Sequence, residues 1–360
     1  MLSFMLTAVP GVVAYPPSSS SSSSSHLRAN KRRRRLSSIV MSASSSASKQ
    51  SGSKPLVVVG SVNADYVLSV ERLPAPGETV SASTLELFPG GKGANQAAAA
   101  ARLGHPTRFI GQTGKDGNGT FLRNALTESG VVVDQLVERD ECSTGTAYIF
   151  LQPSGENSIV ILGGANQEKW EISERNRETI GGAGAVLLQR EIPEHVNLQV
   201  ARMAKESGVP VILDAGGVDA PLDPEILGNL AVLSPNETEL ARLTGLPTST
   251  DEEMLAAATK LLSLDVGSVL IKLGARGSVL IDENSEAIRQ DALPVDQVVD
   301  TTGAGDCYTA AFAVGYVKGW PKEKCLLFAS AAASACIQKK GAMVSLPRLQ
   351  DIPEQYVFRG

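Results

Sequence analysis

Short apolar runs closed by glycine or a polar turn recur along the chain from residue 56 onward. Leu56-Val57-Val58-Val59 followed by Gly60 reads as a strand buried on both faces. Similar runs occupy residues 107–110, 185–188, 209–213, 231–233 and 268–273. Between several of them the apolar spacing changes to that of an amphipathic helix, at residues 94–103, 196–207 and 251–264. Buried strands alternating with helices predict an α/β fold with a mostly parallel sheet covered on both sides. Residues 64–87 and 144–162 break this rhythm with alternating apolar and polar positions and turn pairs such as Pro76-Gly77 and Ser154-Gly155. They predict a small antiparallel sheet beside the main one. Residues 304–319 and 323–339 predict two C-terminal helices.

Residues 1–53 have a different character. They hold eight consecutive serines (Ser18 to Ser25), a basic cluster from Lys31 to Arg35, and no Asp or Glu. Such a segment lacks the apolar surface to offset its ordering entropy and is expected to be a disordered leader and linker. Ser-rich, Arg-containing and acid-free, it reads as an organellar transit peptide, for a plastid first and a mitochondrion as runner-up. Ile39-Val40-Met41-Ser42-Ala43 resembles a plastid processing site, with cleavage near 41/42. An untargeted tail, or a nuclear signal at Arg32 to Arg35, are the other readings. Residues 54–360 then form the folded domain.

Composition narrows the function classes. Aromatic residues make up only 4% of the 360 residues, too few for a base-stacking platform. Loss of residues 1–41 would remove six of the 33 Lys and Arg and none of the 38 Asp and Glu, taking the formal charge from −5 to −11. A chain that acidic is unsuited to general nucleic-acid binding. No run approaches the roughly 20 apolar residues of a membrane span. Cys142, Cys307, Cys325 and Cys336 form no Cys-x-x-Cys pair, which indicates free thiols, not disulfides or zinc ligands.

Two glycine-rich turns carry candidate chemistry. Asp300-Thr301-Thr302-Gly303-Ala304-Gly305-Asp306 opens a helix of small residues. Backbone N–H groups of Gly303, Ala304 and Gly305 can face an anion there, and Asp306 in the first turn can act as a base beside it. The same pattern also fits an ordinary helix start with Asp306 opposing the dipole. Gly90-Gly91-Lys92-Gly93-Ala94-Asn95-Gln96 is a second such turn; Gly93 after Lys92 rules out a Walker A loop. It fits a polar ligand pocket or a tight turn with a solvated lysine. Asn236 and Glu239 read on their own as a helix N-cap and its capping box. No Gly-x-Gly-x-x-Gly follows the first strand, against a dinucleotide-dependent oxidoreductase.

Taken together, Gly60-Ser61-Val62-Asn63-Ala64-Asp65, the Gly90–Gln96 run and the Asp300–Asp306 run resemble the three signatures of the ribokinase family of carbohydrate kinases, over about residues 56–347. The resemblance implies a three-layer α/β/α sandwich whose small antiparallel sheet is a β lid. It implies transfer of a phosphoryl group from ATP to the 5-hydroxyl of D-ribose, with Asp306 as base and an anion hole at Gly303, Ala304 and Gly305. Kinases of another furanose or a nucleoside, or a non-catalytic scaffold, are the alternatives. Asn63, Asp65, Gly91, Lys92, Gly93, Asn95 and Glu191 would hold the sugar, although Glu191 alone would read as a loop charge. Asn236, Glu239 and the loop Lys272-Leu273-Gly274-Ala275-Arg276-Gly277, with Gly305, would bind ATP. Glu239 would arrange Mg2+ through water. Asp300, Thr302, Cys336, Lys339, Gly341 and Ser345 would surround K+, mostly with backbone oxygens. The family usually has Thr where Lys272 stands, and Cys307-Tyr308-Thr309-Ala310 replaces a commoner Thr-Phe-Asn-Gly. A homodimer through the lid is the expected assembly.

Overall fold

Alternate side chains of a strand point to opposite faces, and β1 (Leu56–Val59) shows the result when both faces are covered. Leu56 and Val58 enter one hydrophobic core while Val57 and Val59 enter another. The computed structural model describes residues 53–282, 284 and 287–358. Except for Ser53, the expected leader and its processing site near Ser42 lie outside the described residues.

From β1 the chain runs through β2 (Asn63–Val70), β3 (Ala82–Gly90), α1 (Lys92–Arg102), β4 (Thr107–Gly114), α2 (Gly117–Glu128) and β5 (Val132–Arg139). The hairpin of β6 (Gly145–Leu151) and β7 (Asn157–Leu162) precedes α3 (Glu174–Gly181), β8 (Ala185–Arg190), α4 (Glu194–Glu206) and β9 (Val211–Gly217). Then come α5 (Pro224–Leu227), β10 (Val232–Ser234), α6 (Glu237–Thr244), α7 (Asp251–Leu262) and β11 (Ser268–Lys272). The antiparallel β12 (Ser278–Asp282) and β13 (Ala287–Gln290) lead to the C-terminal α8 (Ala304–Val317) and α9 (Lys322–Cys336).

The large sheet has the order β13-β12-β11-β10-β9-β8-β1-β4-β5 and is parallel from β11 to β5. Residues of α1, α2, α8 and α9 pack in the core on one face, and those of α3 to α7 in the core on the other. This is the expected three-layer sandwich. Strand order reverses around β1, so the connections leaving β1 and β8 diverge and open a crevice at their carboxyl ends. No described helix is long and apolar enough to cross a membrane.

The second sheet, β3-β2-β6-β7, consists of two antiparallel hairpins, as the alternating segments predicted. They join through β2 and β6, which run parallel. Local turn chemistry sets pairing inside a hairpin, but it carries no information about how two hairpins meet. Leu85, Leu87, Tyr148, Val160 and Leu162 stand exposed on this sheet.

Candidate active site

The crevice begins where two backbones touch. Gly91 has φ +87°, and a Cβ there would lie 2.8 Å from Asn63 N. A Cβ on Gly93 would lie 2.7 Å from Ser61 N, so the start of α1 packs on the turn after β1 as only glycine permits. Asn166 fixes that turn from outside: it accepts from Val62 N at 3.0 Å and donates to Val62 O at 3.1 Å and Asn63 Oδ1 at 2.7 Å. Glu191, just past β8, accepts from Ser61 Oγ at 2.6 Å and Lys92 N at 3.0 Å through one carboxylate oxygen. Asp65 lies against Gly90, where a Cβ would overlap its carboxylate. Burial, then the charges of Glu191 and Asp306, push Asp65 up to about 7. Asn63, Asp65, Gly91, Lys92, Asn95 and Glu191 thus line one polar cradle. Gly93 sits behind it, donating its amide to Ser61 Oγ at 3.3 Å.

Asp306 closes the cradle from the opposite side. Gly303, at φ +79°, turns the chain into α8, and Asp306 is buried in the first turn. Asn95 Nδ2 donates to its Oδ2 at 2.9 Å, Gln96 Nε2 donates to Oδ1 at 3.3 Å, and Lys92 Nζ lies 3.8 Å from Oδ1. Gln96 is in turn held by Gln189 Nε2 at 2.7 Å. Burial raises Asp306 above the ordinary carboxylate range, and Lys92 offsets this only in part. The Lys92 ammonium is held charged, chiefly by Asp306. A carboxylate oriented by fixed donors, with its proton affinity raised, is a suitable base near neutral pH. The amide of Ala304 already donates to Thr301 O at 3.2 Å, so its share in an anion hole requires that turn bond to yield.

The remaining candidate residues form two flanking groups. At the start of α6, Asn236 Oδ1 accepts from Glu239 N and Glu239 Oε2 from Asn236 N, both at 2.8 Å, so the capping box is present. Glu239 is also close enough to contribute to the charge state of Lys92. Beyond β11, Leu273 N donates to Gly277 O at 2.8 Å and closes the loop, while Gly274 and Gly277 take positive φ. Ala275 is exposed in that loop, and Arg276 turns away to Glu237. In the second group, Asp300 accepts from Thr302 N at 2.9 Å, Thr302 Oγ1 at 2.7 Å and Gly341 N at 2.8 Å. Burial would raise Asp300, but these bonds and Lys340 hold it below its ordinary value. Cys336 Sγ is 3.0 Å from Ser345 Oγ, and Lys339 is exposed. Residues 300–302 and 336–345 therefore meet, through the Gly341 amide on Asp300. Among the described residues no cluster of His, Cys, Asp and Glu suits a metal held by side chains alone. Carbonyls, hydroxyls and isolated carboxylates suit hard cations that retain water or take backbone oxygens.

Sequence reasoning missed Ser61, Gln96, Asn166, Gln189, Asp214 and Thr309. Ser61, Gln96 and Thr309 stand inside sequence runs already singled out, and Asp214 is an acid at the carboxyl end of a strand whose other residues are apolar; Asn166 and Gln189 left no trace.

A polar cradle at strand carboxyl ends, facing a helix start and its buried carboxylate, has the parts of a small-molecule kinase. The chain matches the pfkB family carbohydrate kinases over residues 53–349 and belongs to that family. It is 52% identical over 297 residues to a ribokinase of Arabidopsis thaliana, across 81% of this chain and 78% of that one. A ribokinase of Haemophilus influenzae is 35% identical over 302 residues, across 84% of this chain and 98% of the relative. The solved structure of Arabidopsis thaliana ribokinase complexed with ribose and ATP has a TM-score of 0.82 at 50% identity, covering 85% of this chain and 99% of that one. The chain is an ATP-dependent carbohydrate kinase.

Proposed function

We propose that this kinase acts on D-ribose, transferring the γ-phosphoryl group of ATP to the 5-hydroxyl. The observation that carries the reading is Asp306, buried between the polar cradle and the start of α8 with both carboxylate oxygens oriented by α1. The sugar hydroxyl gives its proton to Asp306 as its oxygen attacks phosphorus in line. Amides at the start of α8 stabilise charge on the phosphoryl oxygens. Asn63, Asp65, Lys92, Asn95 and Glu191 orient the sugar, and the small sheet acts as the lid that keeps water out. Mg2+ would neutralise phosphate charge, with Asn236 near the phosphates and Glu239 acting through water. K+ would be held by Asp300, Thr302 and the oxygens around Cys336, Lys339, Gly341 and Ser345, where its charge would steady the turn into α8. Tying of Asp300 to Gly341 supports that assignment.

Two further proposals concern the whole protein. The exposed Leu87, Tyr148, Val160 and Leu162 support a homodimer paired through the lid. The acid-free, Ser-rich leader supports import into a plastid. The test of substrate is a panel of ribose, 2-deoxyribose, fructose and adenosine with Mg-ATP, with and without K+. Ribose is expected to lead in kcat/KM by at least about tenfold. A higher kcat/KM for any other acceptor would overturn the assignment and select the sibling kinase.

A further inference from the structure

A second buried ion pair lies beneath the first turns of α8; the family resemblance puts Lys272 in the ATP loop but gives its side chain no chemical task and Asp214 none at all. Lys272, at the end of β11, donates from Nζ to Asp214 Oδ2 at 2.6 Å. Asp214 is on β9, with only 2% of its side chain exposed. Thr309 of α8 donates to the same oxygen at 2.9 Å, and Lys272 Nζ is 3.4 Å from that hydroxyl. Asp214 Oδ1 accepts from Gly216 N at 2.9 Å, and Ser234 of β10 lies 3.3 Å from Thr309 Oγ1. Burial would raise Asp214, but Lys272 and Lys92 hold it below its ordinary value, so the acid is an anion here.

The ammonium is therefore fixed from β9, β11 and α8, and its position is specific. A Cβ built on Gly305 would stand 3.8 Å from Lys272 Nζ. Gly305 belongs to the first turn of α8, where the helix already presents positive potential. A cation there has the wrong sign for the helix unless a neighbouring anion compensates it. Asp214 does so, yet a buried pair of this kind stabilises a fold weakly compared with apolar side chains of the same volume. Stability is thus a thin reason for placing it here. An ammonium has three hydrogens, and the two contacts engage two of them. Lys272 keeps 13% of its side chain exposed, so the pair opens on the lysine's side.

We propose that Lys272 is a phosphate-contacting catalytic residue, and that Asp214 and Thr309 are the positioning residues that hold its ammonium beneath Gly305. The inference rests on the kinase reading above. Lys272 takes no part in the proton transfer. The bond broken joins the γ-phosphorus to the oxygen that leaves with ADP, the bond formed joins that phosphorus to the sugar oxygen, and the hydroxyl proton goes to Asp306. The lysine adds a fixed positive charge to phosphate oxygens at a helix end that carries only partial charges.

The test uses the full-length enzyme and the neutral double variant Asp214→Asn/Lys272→Gln, which leaves no unpaired buried charge. The expected result is a fall in kcat of about 100-fold and a raised KM for ATP, with ribose KM and melting temperature close to the parent. A folded double variant whose kcat stays within about threefold of the parent overturns the proposal and leaves the pair a packing device. Thr309→Val, isosteric and uncharged, provides the second measurement if the double variant does not fold. It should lower kcat by about tenfold at unchanged ribose KM, and parent-like kcat overturns the positioning role. If the parent itself phosphorylates no sugar, the kinase reading fails first, so the two failures are distinguishable.

Discussion

A carboxyl group buried among amides and ammonium groups has its proton affinity set by competition between lost hydration and the donors that remain. Asp306 receives Asn95, Gln96 and Lys92, yet burial still leaves it raised. Asp306→Asn keeps the shape and removes the base, so kcat should fall by about 10²–10⁴-fold while the melting temperature stays near the parent. In the parent, the acid limb of kcat/KM should lie above the ordinary carboxylate range, because the base works only once deprotonated. Asp65 makes a separate prediction. Folded, it holds its proton to about pH 7, whereas the unfolded chain releases it near 3.8. Between these values the folded state binds more protons, so Asp65's contribution to stability is present below pH 4 and is lost as pH rises toward 7. Sugar hydroxyls donating to Asp65 favour the anion, so binding near pH 6 should expel a proton. Calorimetric titrations in buffers of different ionisation enthalpy measure this directly; a buffer-independent heat would refute it.

Among elements, the ones most readable in the sequence were those with an undiluted period. β1, β8 and β11 are apolar on both faces, and α4 and α7 repeat at helical spacing, so their positions followed from pattern. β5 was not readable, because Asp134, Glu138 and Arg139 interrupt it at the edge of the sheet. β12 and β13 return antiparallel at the other edge and carry no rhythm of strand and helix. The two hairpins were legible, but their parallel junction was not, since it depends on contacts remote in sequence. Within the site, Asp306 became persuasive only beside the Gly90–Gln96 turn. Asn166 could not be found, because its role comes from a loop folding back onto Val62 and Asn63 across 104 and 103 residues. The small sheet also yields a test. Val160→Asp on its exposed strand should leave the fold intact and shift a dimer toward monomer in sedimentation; an unchanged sedimentation coefficient would count against pairing through this face.

For the whole molecule, one strand spans two tasks. Asn63 and Asp65, cradle residues, are the first and third residues of β2, and the same strand continues through the small sheet proposed as the lid, flanked by β3 and β6. Tyr66 stacks on Tyr148 with ring centroids 5.4 Å apart, so the next residue along is already part of the small sheet's cross-strand packing. If the lid pairs two subunits, sugar occupancy and association are linked equilibria, and each must shift the other by the same factor. The enzyme would then report its own concentration: on dilution through the dissociation range the apparent affinity for ribose should weaken, and saturating ribose should move that range lower. Substrate titrations at enzyme concentrations on either side of dissociation measure the coupling, and superimposable curves would show that the two ends of β2 act independently.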